Sequence, residues 1–126
     1  MTQPILSVDF DGVIHSYASG WKGAAIVPDP PFPGAMDWLR LMTQHCQVRV
    51  FSSRSNMDGG IQAMLSAIEK WAVLEHGEGG IGWVSRLDYP TIKPPARVSL
   101  DDRAICFTGQ WPTLKDIMDF KPWYER

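Results

Sequence analysis

Apolar residues follow two different spacings along this chain, and the alternation between the two predicts its fold. Short β-prone runs lie at residues 5–8, 47–51 and 96–100. Segment 34–45 and segment 58–77 instead carry apolar side chains at helical spacing. Strands that alternate with helix-length segments predict β-α-β crossovers. We therefore expect an α/β fold, a three-layer, Rossmann-like parallel sheet with helices on both faces.

Shorter signals predict the remaining elements. A third strand is expected around Trp83, another short strand at 105–107, and a last helix from Pro112 to about Phe120 with its apolar residues inward (Leu114, Ile117 and Met118). Asp58 is expected to cap the second helix, and Gly77 to end it. Trp38 and Trp71 are expected in the core, and Trp123 is expected to pack back on the domain.

Residues 15–31 interrupt this regular pattern directly after the first strand. They are rich in glycine and small residues, with β-formers near the end and a proline cluster that closes the segment. This composition predicts a short β flap or hairpin. Because the flap starts beside the end of the first strand, it is expected to overhang whatever that strand end binds.

Length and charge limit the classes of protein that fit. The 126 residues suit one domain, 1–126, with a core of its own. The net charge of −2 argues against an extended nucleic-acid footprint, although a short end or a nucleotide remains compatible. No signal peptide or membrane-spanning run is recognised. Cys46 and Cys106 are read as reduced core residues, which favours a cytoplasmic protein.

Carboxylates and other polar side chains gather where the predicted strands end. Asp9 and Asp11 are two apart, so in a strand they project to the same face. Ligands of parallel sheets bind beyond the carboxyl ends of the strands. The residues expected at this edge are Asp9, Asp11, Ser52, Lys93, Asp101 and Asp102.

This combination of side chains points to phosphate chemistry with a hard cation. Four carboxylates without a Cys/His ligand spacing suit Mg²⁺ rather than zinc. The hydroxyl of Ser52 and the ammonium of Lys93 suit a phosphate. A carboxylate that faces a metal-bound phosphoryl group can attack it, and a second carboxyl can move the protons.

Four short motifs also resemble those of the haloacid dehalogenase-like (HAD) hydrolases, in the same order along the chain. They are Asp9-Phe10-Asp11-Gly12-Val13, Phe51-Ser52, Lys93-Pro94 and Leu100-Asp101-Asp102. The resemblance implies a Rossmann-like fold and Mg²⁺-dependent phosphoryl transfer. Both intervals that hold a cap domain in other members are short here, so it also implies a capless member with an open site.

The resemblance implies a role for each motif residue. Asp9 would be the nucleophile and Asp11 the general acid/base, while Ser52 and Lys93 would bind the phosphate. The metal would be held by Asp9, by Asp11 through its backbone carbonyl, and by Asp101 and Asp102, of which either could be the direct ligand. An aspartate at position 11 is typical of the family's phosphatases and argues against dehalogenation.

Several residues keep more than one interpretation. Arg54 either contacts the substrate or pairs with a nearby acid; Ser52-Ser53-Arg54 resembles the corresponding region of polynucleotide 3′-phosphatases. Ser52 could also cap the helix that follows it. His15 is either a donor near the site or a packed flap residue. Trp21 could shield the site.

The function predicted from the sequence is a phosphomonoester hydrolase that works through an aspartyl-phosphate. Its partner would be a phosphorylated small molecule or a nucleic-acid end, with a nucleotide or nucleic-acid-end phosphate preferred over a sugar phosphate. The alternatives are a phosphatase of sugar phosphates or other small metabolites, a receiver-like phospho-acceptor domain, and an inactive phosphate-binding domain. In receiver domains the phospho-acceptor aspartate precedes the hydroxyl residue and the lysine; here acids flank them on both sides. The oligomeric state and the substrate are not predicted.

Overall fold

The chain folds as a mixed α/β structure around a small parallel sheet. A computed structural model describes residues 2–126. Three strands pair in parallel in the spatial order β2-β1-β3: β1 (Ile5–Val8), β2 (Gln47–Val50) and β3 (Val98–Leu100). The strands predicted at these three places, and their parallel pairing, are therefore confirmed.

Within residues 2–126, three α-helices accompany the sheet: α1 (Ala35–Thr43), α2 (Gly60–His76) and α3 (Leu114–Met118). The first two agree with the helical apolar spacing, since each buries one stripe of side chains. Met36 and Leu39 are fully buried on α1, as are Met64 and Ile68 on α2. α1 contacts both β2 and α2. No helix within residues 2–126 is long and apolar enough to cross a membrane.

Strand position in the sheet decides how each strand is buried. All of Leu6, Ser7 and Val8 are buried because β1 is the central strand. On β2 the residues alternate, with Val48 and Val50 fully buried. All three residues of β3 are exposed. The core therefore lies between β1, β2 and the first two helices, and the C-terminal part of the chain is packed more loosely.

Two predicted strands are wrong. Around Trp83 the chain forms a 3₁₀ turn, Gly82–Arg86, which buries the indole without sheet pairing. The sheet is instead extended by one bridge between Asp88 and Arg49 on β2. Residues 105–107 form no strand, and Ile105 and Phe107 are exposed. Their β-propensity has no neighbouring strand to pair with, and propensity alone does not make a strand.

Other local predictions are corrected by packing. α3 is shorter than predicted, and the side chains expected inward are exposed (Leu114, Ile117 and Met118). Gly59, in the left-handed region, caps α2 in place of Asp58, whereas Gly77 ends that helix as expected. Trp71 is buried, but Trp38 is 36% exposed. Both cysteines are free; Cys106 is exposed and Cys46 is only partly buried.

The flap at 15–31 is an irregular loop and contains no strand. Its ends are joined by a single antiparallel bridge between His15 and Pro31. Two hydrogen-bonded turns lie between them, one closed from Gly20 to the carbonyl of Tyr17 and one from Ile26 to that of Gly23. The prediction of a β flap is therefore wrong in its secondary structure.

Candidate active site

The chain turns sharply where β1 ends, and this turn aims the two aspartates. The carbonyl oxygen of Phe10 accepts hydrogen bonds from the N–H groups of Val13, Ile14 and His15. The backbone N–H of Asp9 still donates to the carbonyl of Leu100, at 2.9 Å. Asp9 thus continues the sheet ladder, and the end of β1 lies beside the end of β3.

Gly12 completes this turn in a position that a larger residue would not fit. Its φ is +80°, in the left-handed region. A Cβ placed there would lie 2.5 Å from Oδ2 of Asp102 and 2.7 Å from Cε1 of Tyr124. The absence of a side chain at this position lets the acidic end of β3 and the C-terminal residues approach the turn.

Three carboxylates meet at the shared strand edge. Asp9, Asp101 and Asp102 each offer an oxygen within 4.8 Å of the others. The side chain of Asp102 is only 2% exposed, whereas Asp101 is exposed and accepts a hydrogen bond from the backbone N–H of Arg103. Of the four aspartates predicted at this edge, these three form one cluster, and Asp11, which is hydrogen-bonded to Arg54 and His15, is not part of it.

The three carboxylates of this cluster repel one another. Burial, and then the neighbouring carboxylates of Asp102 and Asp101, raise the pKa of Asp9 to about 9. A divalent cation among the three would remove that repulsion, and an all-oxygen donor set suits a hard ion such as Mg²⁺. Asp9, Asp101 and Asp102 therefore fit the magnesium site predicted from the sequence.

Asp11 is held by a different set of partners. Arg54 donates from Nε to Oδ2 of Asp11 at 2.7 Å and from Nη2 to Oδ1 at 3.0 Å, which makes a bidentate ion pair. Nδ1 of His15 lies 2.9 Å from the same Oδ1. Burial would raise the pKa of Asp11, but the hydrogen bonds from His15 and Arg54 and the guanidinium charge outweigh it and lower the pKa.

The other ring nitrogen of His15 identifies its tautomer. Nε2 accepts a hydrogen bond from the backbone N–H of Asp29, at 3.2 Å. The proton of a neutral ring is then on Nδ1, where it is donated to Asp11. Asp29 in turn accepts from the N–H and hydroxyl of Ser19, both on the flap. His15 is fully buried, so it is a donor beside the site and also a packed residue.

Arg54 joins three parts of the chain. Its side chain has no solvent exposure, and Nη1 donates to the flap carbonyls of Gly23, Ala24 and Ile26 at 2.8–2.9 Å. It comes from the turn Ser53–Asn56, which Ser52 caps by accepting from the N–H of Arg54. Of its two interpretations, the structure shows the pairing with an acid, Asp11. One buried arginine thus ties the turn after β2 to the flap and to Asp11.

A cavity of about 540 Å³ opens onto these groups. That volume lies in the range of roughly 300–1,000 Å³ typical of small-molecule sites. The lining includes five predicted residues, Asp9, Asp11, Ser52, Asp101 and Asp102, and also Tyr17, Trp21, Phe51, Ser53, Met57, Arg103 and Tyr124. Ser52 therefore both caps a turn and faces the cavity.

Two predicted site residues lie outside the cavity lining. Lys93 is exposed on the loop before β3, and Arg54 is buried behind Asp11. Their predicted contacts with phosphate and substrate stay predictions.

Sequence reasoning did not identify Arg103 and Tyr124. Nε of Arg103 donates to the hydroxyl of Tyr124, at 3.1 Å. Nε1 of Trp123 donates to the carbonyl of Gly12 at 2.7 Å, which docks the C-terminal residues on the first turn. Burial and the Asp102 carboxylate raise the pKa of Tyr124 to about 12. The position of Arg103 directly after Asp102 was the one available signal; Tyr124 had none.

Comparisons with protein-family models, with curated proteins and with solved structures give no match for this chain.

Proposed function

We propose that this protein is a Mg²⁺-dependent phosphomonoester hydrolase with a Rossmann-like core, of the type that the four sequence motifs resemble. The observation that carries the proposal is the separation of the carboxylates into two groups. Asp9, Asp101 and Asp102 form one cluster, while Asp11 is held apart by Arg54 and His15. A nucleophile and a separate, ionised proton acceptor need this kind of division between neighbouring acids.

The metal would be held by Asp9, Asp101 and Asp102. When bound, Mg²⁺ neutralises charge on the cluster and on the phosphoryl oxygens. The low exposure of Asp102 favours it as a direct ligand, and Asp101 completes the acidic set. The implied backbone carbonyl of Asp11 remains part of the proposal.

The reaction proceeds in two displacements. A carboxylate oxygen of Asp9 attacks phosphorus, the bond to the leaving oxygen breaks, and that oxygen takes a proton from solvent in the open cavity, because Arg54 and His15 hold Asp11 in its ionised form. A water molecule then attacks phosphorus, gives a proton to Asp11, and the bond between phosphorus and Asp9 breaks to release phosphate. Arg54 and His15 orient Asp11 through hydrogen bonds during both steps.

The phosphate would be bound by Ser52, which faces the cavity just after the end of β2. Its hydroxyl accepts from the N–H of Arg54, so the hydroxyl hydrogen is available to donate to a phosphate oxygen. A cation is also needed. Lys93 is the predicted one, and Arg103 is the one that lines the cavity.

The cellular compartment is proposed on separate grounds. Both cysteines are free thiols, which suits the reducing cytoplasm.

A phosphate-release assay with Mg²⁺ over a panel of phosphomonoesters tests the proposal. The panel should include nucleoside monophosphates, sugar phosphates and oligonucleotides with terminal phosphates. We expect turnover that EDTA abolishes and that Asp9→Asn reduces by at least about 10³-fold, as for other nucleophiles whose loss removes a covalent route. Equal activity in Asp9→Asn, or no activity on any ester, would contradict it.

A further inference from the structure

Trp21 is an exposed aromatic side chain beside the carboxylate site. It is 45% exposed and lines the cavity that holds Asp9 and Asp11. The centre of its ring system lies 4.8 Å from Cζ of Arg54. Exposed tryptophans that border a cavity are enriched at binding sites, because they provide a large rigid surface.

The guanidinium of Arg54 holds the indole in place. Arg54 is itself immobilised by Asp11 and by three flap carbonyls, and it packs on the buried ring of Phe10 at 5.8 Å. A cation within about 6 Å of an aromatic face attracts it. The immobilised guanidinium therefore fixes the position of Trp21. Little side-chain conformational entropy is lost at Trp21 when a ligand binds.

Two tyrosines add to this aromatic lining. Tyr17 and Tyr124 also line the cavity, and their rings meet edge to face with centroids 5.7 Å apart. Within the described residues, Tyr17 is the one non-glycine residue with positive φ, at 60°. A strained backbone held at a cavity is typical of functional positions. The flap is therefore held in a conformation that brings Tyr17 and Trp21 to the cavity.

We propose that Trp21, with Tyr17 and Tyr124, forms a stacking subsite for a nucleobase, so that the substrate is a nucleobase-bearing phosphomonoester. This inference rests on the proposed hydrolase function and specifies its substrate. Every base offers a flat π-face to an indole, so stacking recognises bases without regard to their sequence. The base could belong to a free mononucleotide or to the terminal residue of a nucleic acid.

The order of contacts favours a base over an aryl ring that itself carries the phosphate. Trp21 contacts Arg54, and Arg54 contacts Asp11, so the guanidinium of Arg54 lies between the indole and Asp11. In an aryl phosphate the ring is bonded to the phosphate oxygen. In a nucleotide the sugar lies between phosphate and base, and can span that separation.

A matched substrate pair measures the contribution of the base. Steady-state hydrolysis with Mg²⁺ is compared for a nucleoside 5′-monophosphate and for ribose 5-phosphate. We expect wild type to prefer the nucleotide by roughly tenfold in kcat/KM, mainly through KM, which is within the range of one stacked base. In Trp21→Ala the ratio of the two kcat/KM values falls toward one, and Trp21→Phe, which keeps a smaller ring, is intermediate.

Trp111→Ala is the matched control. Trp111 is 86% exposed, packs against Phe107, and does not line the cavity. It should leave the substrate ratio at the wild-type value. Oligonucleotides with a terminal phosphate, run beside the mononucleotide, show which source of the base is preferred.

A wild-type ratio near one, or an unchanged ratio in Trp21→Ala, would overturn the subsite. Phosphotyrosine preferred over every nucleotide would also overturn it. A binding experiment separates the stacking subsite from the hydrolase function. Calorimetry in EDTA, where no turnover occurs, measures the affinity of wild type and of Trp21→Ala for the nucleoside monophosphate. Tighter binding by wild type with no hydrolysis of any ester would support the subsite and reject the hydrolase; equal binding and no hydrolysis would reject both.

Discussion

Arg54 and Asp11 form a bidentate ion pair, with Nε–Oδ2 and Nη2–Oδ1 distances of 2.7 and 3.0 Å, although 43 residues separate them in sequence. The arginine has no solvent exposure and the aspartate side chain is 12% exposed. A buried pair of this kind is costly to break, because the remaining charge is left without a partner.

We therefore expect Arg54→Ala to lower the free energy of unfolding by about 3–5 kcal/mol, measured by urea denaturation. Part of this loss comes from the flap, because its carbonyls at 23, 24 and 26 would lose their hydrogen-bond donor. Arg40→Ala is the control. Its pair with Asp37 is exposed and longer, at 3.4 Å, so it should cost less than about 0.5 kcal/mol. Equal losses in the two variants would show that the buried pair does not organise the site.

Two glycines separate the effect of backbone conformation from that of close packing. Gly12 and Gly20 have φ of +80° and +74°, but a Cβ at Gly20 meets no atom within 4 Å. Gly20→Ala should cost about 1 kcal/mol, from the left-handed backbone alone. Gly12→Ala should cost roughly 2 kcal/mol more, because its Cβ overlaps Asp102 and Tyr124. Thermal unfolding measures both, and similar losses would mean that the approach to Gly12 is not tight.

The arrangement of the aspartates around the turn at Gly12 could be predicted only in part from the sequence. Asp-x-Asp-Gly after an apolar run predicted the turn and the shared edge, because strand periodicity dictates where both aspartates start. The motif could not show that Asp11 is paired with Arg54 and His15 and is not part of the carboxylate cluster. That depends on Arg54 and His15, and the long-range pairing of Arg54 follows from how the flap folds.

In the fold, too, the sequence predicted some elements correctly and others not. β1, β2, α1 and α2 were predictable because each has a buried apolar stripe. Residues 105–118 carry similar apolar side chains that remain exposed, among them Phe107 and Leu114. Periodicity identifies an apolar face, but it does not show whether another element covers that face.

Magnesium should stabilise the protein through the cluster of Asp9, Asp101 and Asp102. Saturating Mg²⁺ is expected to raise the melting temperature by several degrees, because a ligand that binds the folded state alone adds about 2.7 kcal/mol at 100 times its Kd. In Asp102→Asn this increase should largely disappear. In EDTA that variant should melt no lower than wild type, since one repelling carboxylate is gone.

Asp119→Asn serves as the control for Asp102→Asn. Asp119 is exposed and pairs with Lys115 on α3, so the Mg²⁺-induced rise in melting temperature should be retained. A similar rise in Asp102→Asn would mean that the ion binds elsewhere.

Arg103 and Lys93 are alternative cations for the phosphate. Arg103 lines the cavity and Lys93 does not. We therefore expect Arg103→Ala to raise KM by about tenfold, since a charge-assisted hydrogen bond contributes roughly 1.5–3 kcal/mol. Lys93→Ala should raise it less. The opposite order, from steady-state kinetics on one phosphomonoester, would show that Lys93 reaches the substrate from the loop before β3.

The most direct test of the central claim is to look for the covalent intermediate on Asp9. Wild type is mixed with Mg²⁺ and a phosphomonoester it hydrolyses, quenched in acid within the first turnovers, and digested for mass spectrometry. We expect the peptide that contains Asp9 to gain one phosphoryl group, and Asp9→Asn to show neither the modified peptide nor turnover. Turnover by Asp9→Asn at the wild-type rate, or a phosphoryl group found on another residue, would contradict the claim.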